Sequence, residues 1–111
     1  MLFRSAKAFA EKVIADPCFA RLRLSLAVAP PESEGAKAMA GLNDALREHV
    51  DVFFQAAAQY HGNMKGRSLP YSAAFIGTID TYVGLFLAEK SNLSEEVVKA
   101  AVRQFMYGIF S

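Results

Sequence analysis

Residues 69–111 read LPYSAAFIGTIDTYVGLFLAEKSNLSEEVVKAAVRQFMYGIFS, and this stretch decides the fold. Periodicity predicts two helices whose apolar residues occupy nearly the whole circumference. Between Tyr71 and Leu87, the residues Phe75, Ile76, Ile79, Tyr82, Val83, Leu85, Phe86 and Leu87 cannot be placed on one stripe at a 3.6-residue period. A helix of that kind has to be covered on two sides. Val97, Val98, Val102, Phe105, Met106, Ile109 and Phe110 spread over more than one face in the same way. In a chain of 111 residues one core cannot cover so much apolar surface, and the simplest cover is a partner chain, making a homodimer. The alternation leaves open which faces of the two helices are core and which are interface.

The segment from Ser72 to Ala88 approaches the length of a membrane span, but Asp80 stands in its middle with Thr78 and Thr81 nearby. A carboxylate at bilayer depth is expensive, so a buried protein interface is expected and a membrane is not.

Upstream, the pattern is also helical, since no sustained period-two run and no hairpin signal occurs. The expected fold is all-α with about five helices in a single domain, 1–111. A first helix is predicted from Leu2 to Ala15, with Phe3, Ala6, Phe9, Ala10, Val13 and Ile14 on its apolar face. Asp16 caps the next helix and Pro17 opens it, running to about Val28 before Ala29-Pro30-Pro31. The third and longest helix starts near Ser33 and Glu34 and runs to about His61. Its stripe is Ala36, Met39, Asn43, Leu46, Val50, Phe53, Ala57 and Tyr60. Gly62 is read as its stop, residues 62–68 as a loop, and Pro70 as the start of the fourth helix. Ser94 is the expected N-cap of the last helix, with Leu93 and Val98 as a hydrophobic staple.

Twelve Lys and Arg stand against eleven Asp and Glu, a net charge of +1. That balance lacks the basic stripe that neutralises many phosphates, so DNA binding by this segment alone is not expected. One cysteine, Cys18, excludes an intramolecular disulfide and is read as a small buried hydrophobe. The opening MLFRSAKAFAEK alternates charged and apolar residues and does not read as a signal peptide, which points to a cytoplasmic protein.

Chemical motifs are sparse. There is no Glu-x-x-His, no His-x-x-x-His and no Gly-x-Ser-x-Gly, and His49 and His61 stand apart from any cysteine. The loop at 62–68 is one residue short of a phosphate-binding loop and follows a helix rather than a strand. No metal, cofactor, catalytic residue or enzymatic activity is expected. What stands out is polarity inside apolar stripes: Asn43 on the long helix with His49 at the stripe's edge, and Thr78, Asp80, Thr81 and Tyr82 on the fourth. A mostly apolar pocket with a few placed polar groups has this composition, and so do ordinary interhelical hydrogen bonds. Candidate ligand contacts are therefore Asn43, His49, Phe53, Phe75, Thr78 and Tyr82. For Asp80, a bond across a subunit interface is the competing role.

Three phrases carry a family likeness: Ala15-Asp16-Pro17 followed by Ala20-Arg21-Leu22-Arg23-Leu24; Ala29-Pro30-Pro31-Glu32-Ser33-Glu34; and Arg103-Gln104-Phe105-Met106-Tyr107-Gly108-Ile109-Phe110-Ser111. Together with the order of helices, they make the whole chain resemble the C-terminal ligand-binding and dimerisation domain of TetR/AcrR-type bacterial transcriptional regulators. The resemblance implies that the last two helices pair with those of a second subunit in a four-helix bundle, through Val83, Leu87, Val98, Val102, Phe105 and Ile109. It implies that the preceding helices enclose a pocket for a small apolar effector, whose binding changes the dimer geometry of a repressor. The helix-turn-helix domain of that family has no match here, so DNA would be reached only through an N-terminal domain not present in this chain. This sequence is then a fragment or a shortened relative. The competing expectation is a helical dimerisation or interaction module, or a truncated regulator, with no small-molecule ligand.

Overall fold

Local signals set the helix ends. The computed structural model describes residues 2–60 and 66–107, and it is all-α. Five helices are present among the described residues: α1 (Leu2–Ala15), α2 (Pro17–Ala27), α3 (Glu34–Ala58), α4 (Ser68–Leu87) and α5 (Glu95–Tyr107). Between α1 and α2, the Phe19 amide donates to Asp16 Oδ1 at 3.1 Å, an N-cap with Pro17 just behind it, where a missing N–H costs nothing. Ser33 caps α3 by accepting from the Ala36 amide at 3.2 Å, and Ser94 accepts from the Val97 amide at the start of α5. The start of α4 differs from expectation, because the helix begins at Ser68 and takes in Pro70 within its first turn. The first-turn amides have no intrahelical partner, so proline is tolerated there. The Gly62 stop lies outside the described residues; α3 itself ends at Ala58, short of His61.

The chain divides into two compact units. The first comprises Met1–Ser25 and Gly77–Ser111, the second Leu26–Ile76. In the first, α1 packs against α5. Ala6, Ala10 and Val13 of α1 are buried, as are Val98 and Ala101 of α5, and alanines at these positions let two helix backbones approach closely. The α4 residues Ile79, Val83 and Leu87 and the preceding-loop residue Leu93 complete this core. Leu93 and Val98 are both buried, as the staple reading requires. Lys7 to Glu95 at 3.8 Å and Lys99 over the Phe3 ring at 5.5 Å lie at its rim, where exposed pairs contribute little. Ile14, expected on the apolar face of α1, is half exposed, and Cys18 is exposed rather than buried.

In the second unit, Met39, Val50 and Phe54 of α3 are buried together with Ser72 and Phe75 of α4. Phe54 sits 5.9 Å from the Tyr71 ring and 6.4 Å from the Phe75 ring, the offset geometries that aromatic quadrupoles favour. The stripe of α3 is thus turned slightly from the expected one. Phe54 takes the inward place given to Phe53, and Tyr60 is largely exposed. Ser72 is fully buried on an otherwise apolar face because its hydroxyl returns to the Ser68 carbonyl at 2.7 Å and lies 3.1 Å from Asp51 Oδ1. Asp51 is itself held by the Gln55 amide at 2.7 Å.

The all-round apolar character of α4 resolves into one buried stripe, Ser72, Phe75, Ile79, Val83 and Leu87, at steps of three and four. Its stop is well defined. Lys90 N–H bonds back to the Leu85 carbonyl and Glu89 N–H to the Phe86 carbonyl, while Glu89 adopts φ 60°. This is a Schellman closure with a glutamate where glycine is favoured. Replacing Glu89 by glycine removes the Cβ clash of the left-handed conformation and is expected to stabilise the fold by about 0.5–1 kcal/mol, read as a higher urea midpoint. A lowered midpoint would mean that the Glu89 side chain holds the turn.

Candidate functional site

Once its buried stripe is accounted for, α4 presents a second face. Thr78, Thr81, Tyr82 and Leu85 share one side at helical spacing, and with Gln104 and Phe105 of α5 they line a solvent-open groove of ≈ 340 Å³ within the first unit. Its chemistry is mixed. Tyr82 Oη donates to Gln104 Oε1 at 2.7 Å, tying the two helices across the groove. Thr81 Oγ1 turns back to the Gly77 carbonyl at 2.9 Å, so its methyl group is left to the surface. Leu85 is 38% exposed, and Met106 and Tyr107 of α5 are exposed as well. The arrangement suits packing and neutral hydrogen bonding. No group of three or more potential metal ligands occurs among the described residues.

The sequence-derived candidates divide between the units. Asn43, His49, Phe53 and Phe75 belong to the second: His49 is exposed on α3 with its ring edge-on to Phe53 at 5.8 Å, Asn43 and Phe53 are half-buried, and Phe75 is buried against Phe54. Thr78 and Tyr82 belong to the first and line the groove beside Phe105, which the sequence assigned to an interface. Of the interface candidates, Val83, Leu87 and Val98 are 1%, 7% and 4% exposed within the single chain. Within the single chain they face inward. Val102 is half-buried, and Ile109 lies outside the described residues. Leu85 and Gln104, which periodicity does not single out, are part of the groove. The one signal for Gln104 is the need of a Tyr82 hydroxyl, on a mostly apolar helix, for a polar partner.

Asp80 has a different role from the one open to it in the sequence, since it pairs within the chain, with the Arg23 guanidinium of α2. The Arg23 and Asp80 side chains are 6% and 19% exposed, and the guanidinium also lies 5.2 Å from the centre of the Phe9 ring. Two residues earlier, Arg21 Nη2 donates to the Leu87 carbonyl at 2.7 Å, satisfying one of the terminal acceptors of α4. No helix among the described residues is long and apolar enough to cross a membrane. Searches of protein-family models, curated proteins and solved structures find no match to this chain.

Burial pushes the Asp80 carboxyl above its usual 3.8, outweighing the downward pull of the Arg23 charge and hydrogen bond. Between 3.8 and the raised value the folded state holds more protons than the unfolded state, so this group's contribution to stability is full below 3.8 and is lost as pH rises through the folded value. The stability of the protein relative to its Asp80→Asn variant should therefore fall as pH increases from about 3.5 upward, compared by urea unfolding at each pH. A difference that grows with pH would show that Arg23 wins over desolvation.

Proposed function

We propose that this chain is the effector-sensing and homodimerising portion of a cytoplasmic TetR-type transcriptional regulator, a repressor, in which α4 and α5 of two copies pair as a four-helix bundle. The observation that carries the reading is the outward face of the α4 and α5 pair, where Leu85, Phe105 and Met106 remain partly exposed around the groove after the inward stripe has been buried. The groove lining, Thr78, Thr81, Tyr82, Leu85, Gln104 and Phe105, carries no charge, and an uncharged, aromatic-bearing lining suits an interface centre. The proposed contact keeps Phe105 from the sequence-derived set, adds Leu85, and leaves out Val83, Leu87 and Val98, which are buried within the single chain. The effector proposed is a small apolar compound, and DNA would be contacted through a separate N-terminal domain. The role is one of binding rather than catalysis.

A second reading has its own support. No buried side-chain nitrogen or oxygen among the described residues lacks a hydrogen-bond partner, so the polar members of the apolar stripes are satisfied without a ligand. The same face would then serve a helical dimerisation module that binds no small molecule.

Sedimentation at micromolar concentration tests the shared part, with dimer expected and a stable monomer sinking both readings. Leu85→Glu should raise the dimer dissociation constant about 100-fold with helicity unchanged, because an unpaired charge enters the contact. Val83→Ala should instead lower folding stability by about 1–3 kcal/mol and leave association near normal. A thermal-shift screen with small apolar compounds separates the two readings: a concentration-dependent rise in Tm supports the sensor, and its absence in an intact dimer supports the plain module.

A further inference from the structure

The Tyr82–Gln104 bond leaves a balanced remainder. Tyr82 Oη gives its one hydrogen to Gln104 Oε1 at 2.7 Å, and the bond is exposed at the groove. After that bond the phenol oxygen still has a lone pair to accept with, and the Gln104 amide still has its N–H groups to donate. This cross-helix pair therefore presents a donor and an acceptor side by side. Turning the amide over exchanges which residue supplies which, and the balance stays the same.

A pair of that kind is complementary to a copy of itself. A two-fold axis sets each residue near it against its own counterpart, so a charge there meets a like charge and a lone donor meets a donor. The groove avoids both. Although 21% of the chain is charged, none of the residues lining the groove is. The flank of α4 beside it suits close approach, because Gly77 and Gly84 share the side of Thr81 at helical spacing and a Cβ built on either meets no atom within 4 Å. Glycine inside a helix weakens it, and at these two places neither a positive φ nor a neighbour among the described residues calls for it. A second helix laid along the flank does, since the distance between helix axes is set by the side chains at the contact.

We propose that two copies of this chain meet at the groove through a closed ring of hydrogen bonds about the two-fold axis. In each copy Tyr82 Oη donates to its own Gln104 Oε1, and Gln104 Nε2 donates to Tyr82 Oη of the other copy. The inference rests on the homodimer reading above and adds the polar groups that set its register. Within the ring every donor has an acceptor and every acceptor a donor. Each bond polarises the next around the circuit, so opening one weakens the others. Sliding one copy along the other by a helical turn breaks the bonds between the copies, whereas apolar contacts through Leu85 and Phe105 are less particular. The ring thereby selects one alignment of the bundle, as a polar residue in the seam of a coiled coil selects its register.

Sedimentation equilibrium on the whole chain tests this through charge at Gln104, an exposed position where substitution leaves the core untouched. Gln104→Glu and Gln104→Lys should each raise the dimer dissociation constant at least about 30-fold at low salt, because like charges then face each other across the axis. Mixed in equal amounts, the two variants should associate at least about tenfold more tightly than either alone, since opposite charges then occupy the opposed positions. A mixture no tighter than its components would show that the two copies of residue 104 are not opposed, and the proposal fails. Tyr82→Phe keeps the aromatic ring, removes the hydroxyl and should weaken the dimer about tenfold; an unchanged constant overturns the proposal without any new charge being introduced. Failure of the underlying reading has a different signature. A monomeric unaltered protein ends both, whereas a dimer that is weakened by Leu85→Glu and indifferent to charge at position 104 keeps the interface and rejects the ring.

Discussion

Each of the two units draws core residues from the buried stripe of α4. Ser72 and Phe75 close the core of one unit, and Ile79, Val83 and Leu87 close the core of the other, all from one continuous helix. A helix with such duties cannot choose its outward face freely. The residues opposite and beside the stripe are left to whatever the surface requires, and on the α5 side they are Thr78, Thr81, Tyr82 and Leu85. The groove with α5 is in this sense a by-product of core construction, made distinctive by the tyrosine and glutamine that cross it.

The same helix carries Asp80, which has to find a cation without leaving the core. Arg23 supplies it from α2, and in doing so commits α2 to a single register against α4, since the guanidinium must also lie over Phe9. The placement of α2 is thus set in part by a polar pairing. The alanine contacts of α1 with α5 show the opposite balance: close approach, no polar requirement, and stability drawn from apolar area.

Much of the fold was legible in the chain because its punctuation is local. Asp16-Pro17, Ser33 and Ser94 act within a single turn, and the helices they open are found where they predict. Stripes with mixed composition were less legible. On α3, Phe53 and Phe54 are neighbours of equal hydrophobicity, and only packing against Tyr71 and Phe75 decides that Phe54 turns inward. On α4 the apolar residues are so evenly distributed that periodicity cannot rank Val83 above Leu85, although the first is buried and the second is exposed. Ser72 hides its polarity in a backbone bond, and Arg23 hides its charge in a partner 57 positions away, so neither declares itself as core in the sequence. The groove depends on that same lost distinction. Thr78, Tyr82 and Phe105 are all visible as candidates, yet their shared location follows from which side of α4 the core has taken.

The backbone closure at Glu89 and Lys90 has a consequence for how the groove could change over time. The chain leaves α4 in a direction set by main-chain hydrogen bonds to Leu85 and Phe86, and buried Leu93 and Val98 then anchor the path of α5. None of these constraints involves the side chains that line the groove. Apart from the Tyr82–Gln104 bond that ties α4 to α5, its outline is thereby uncoupled from its lining, so Thr78 and Thr81 can drift in identity while the cleft keeps its width. Such a surface can acquire new specificities by single substitutions without first having to rebuild the scaffold that presents them.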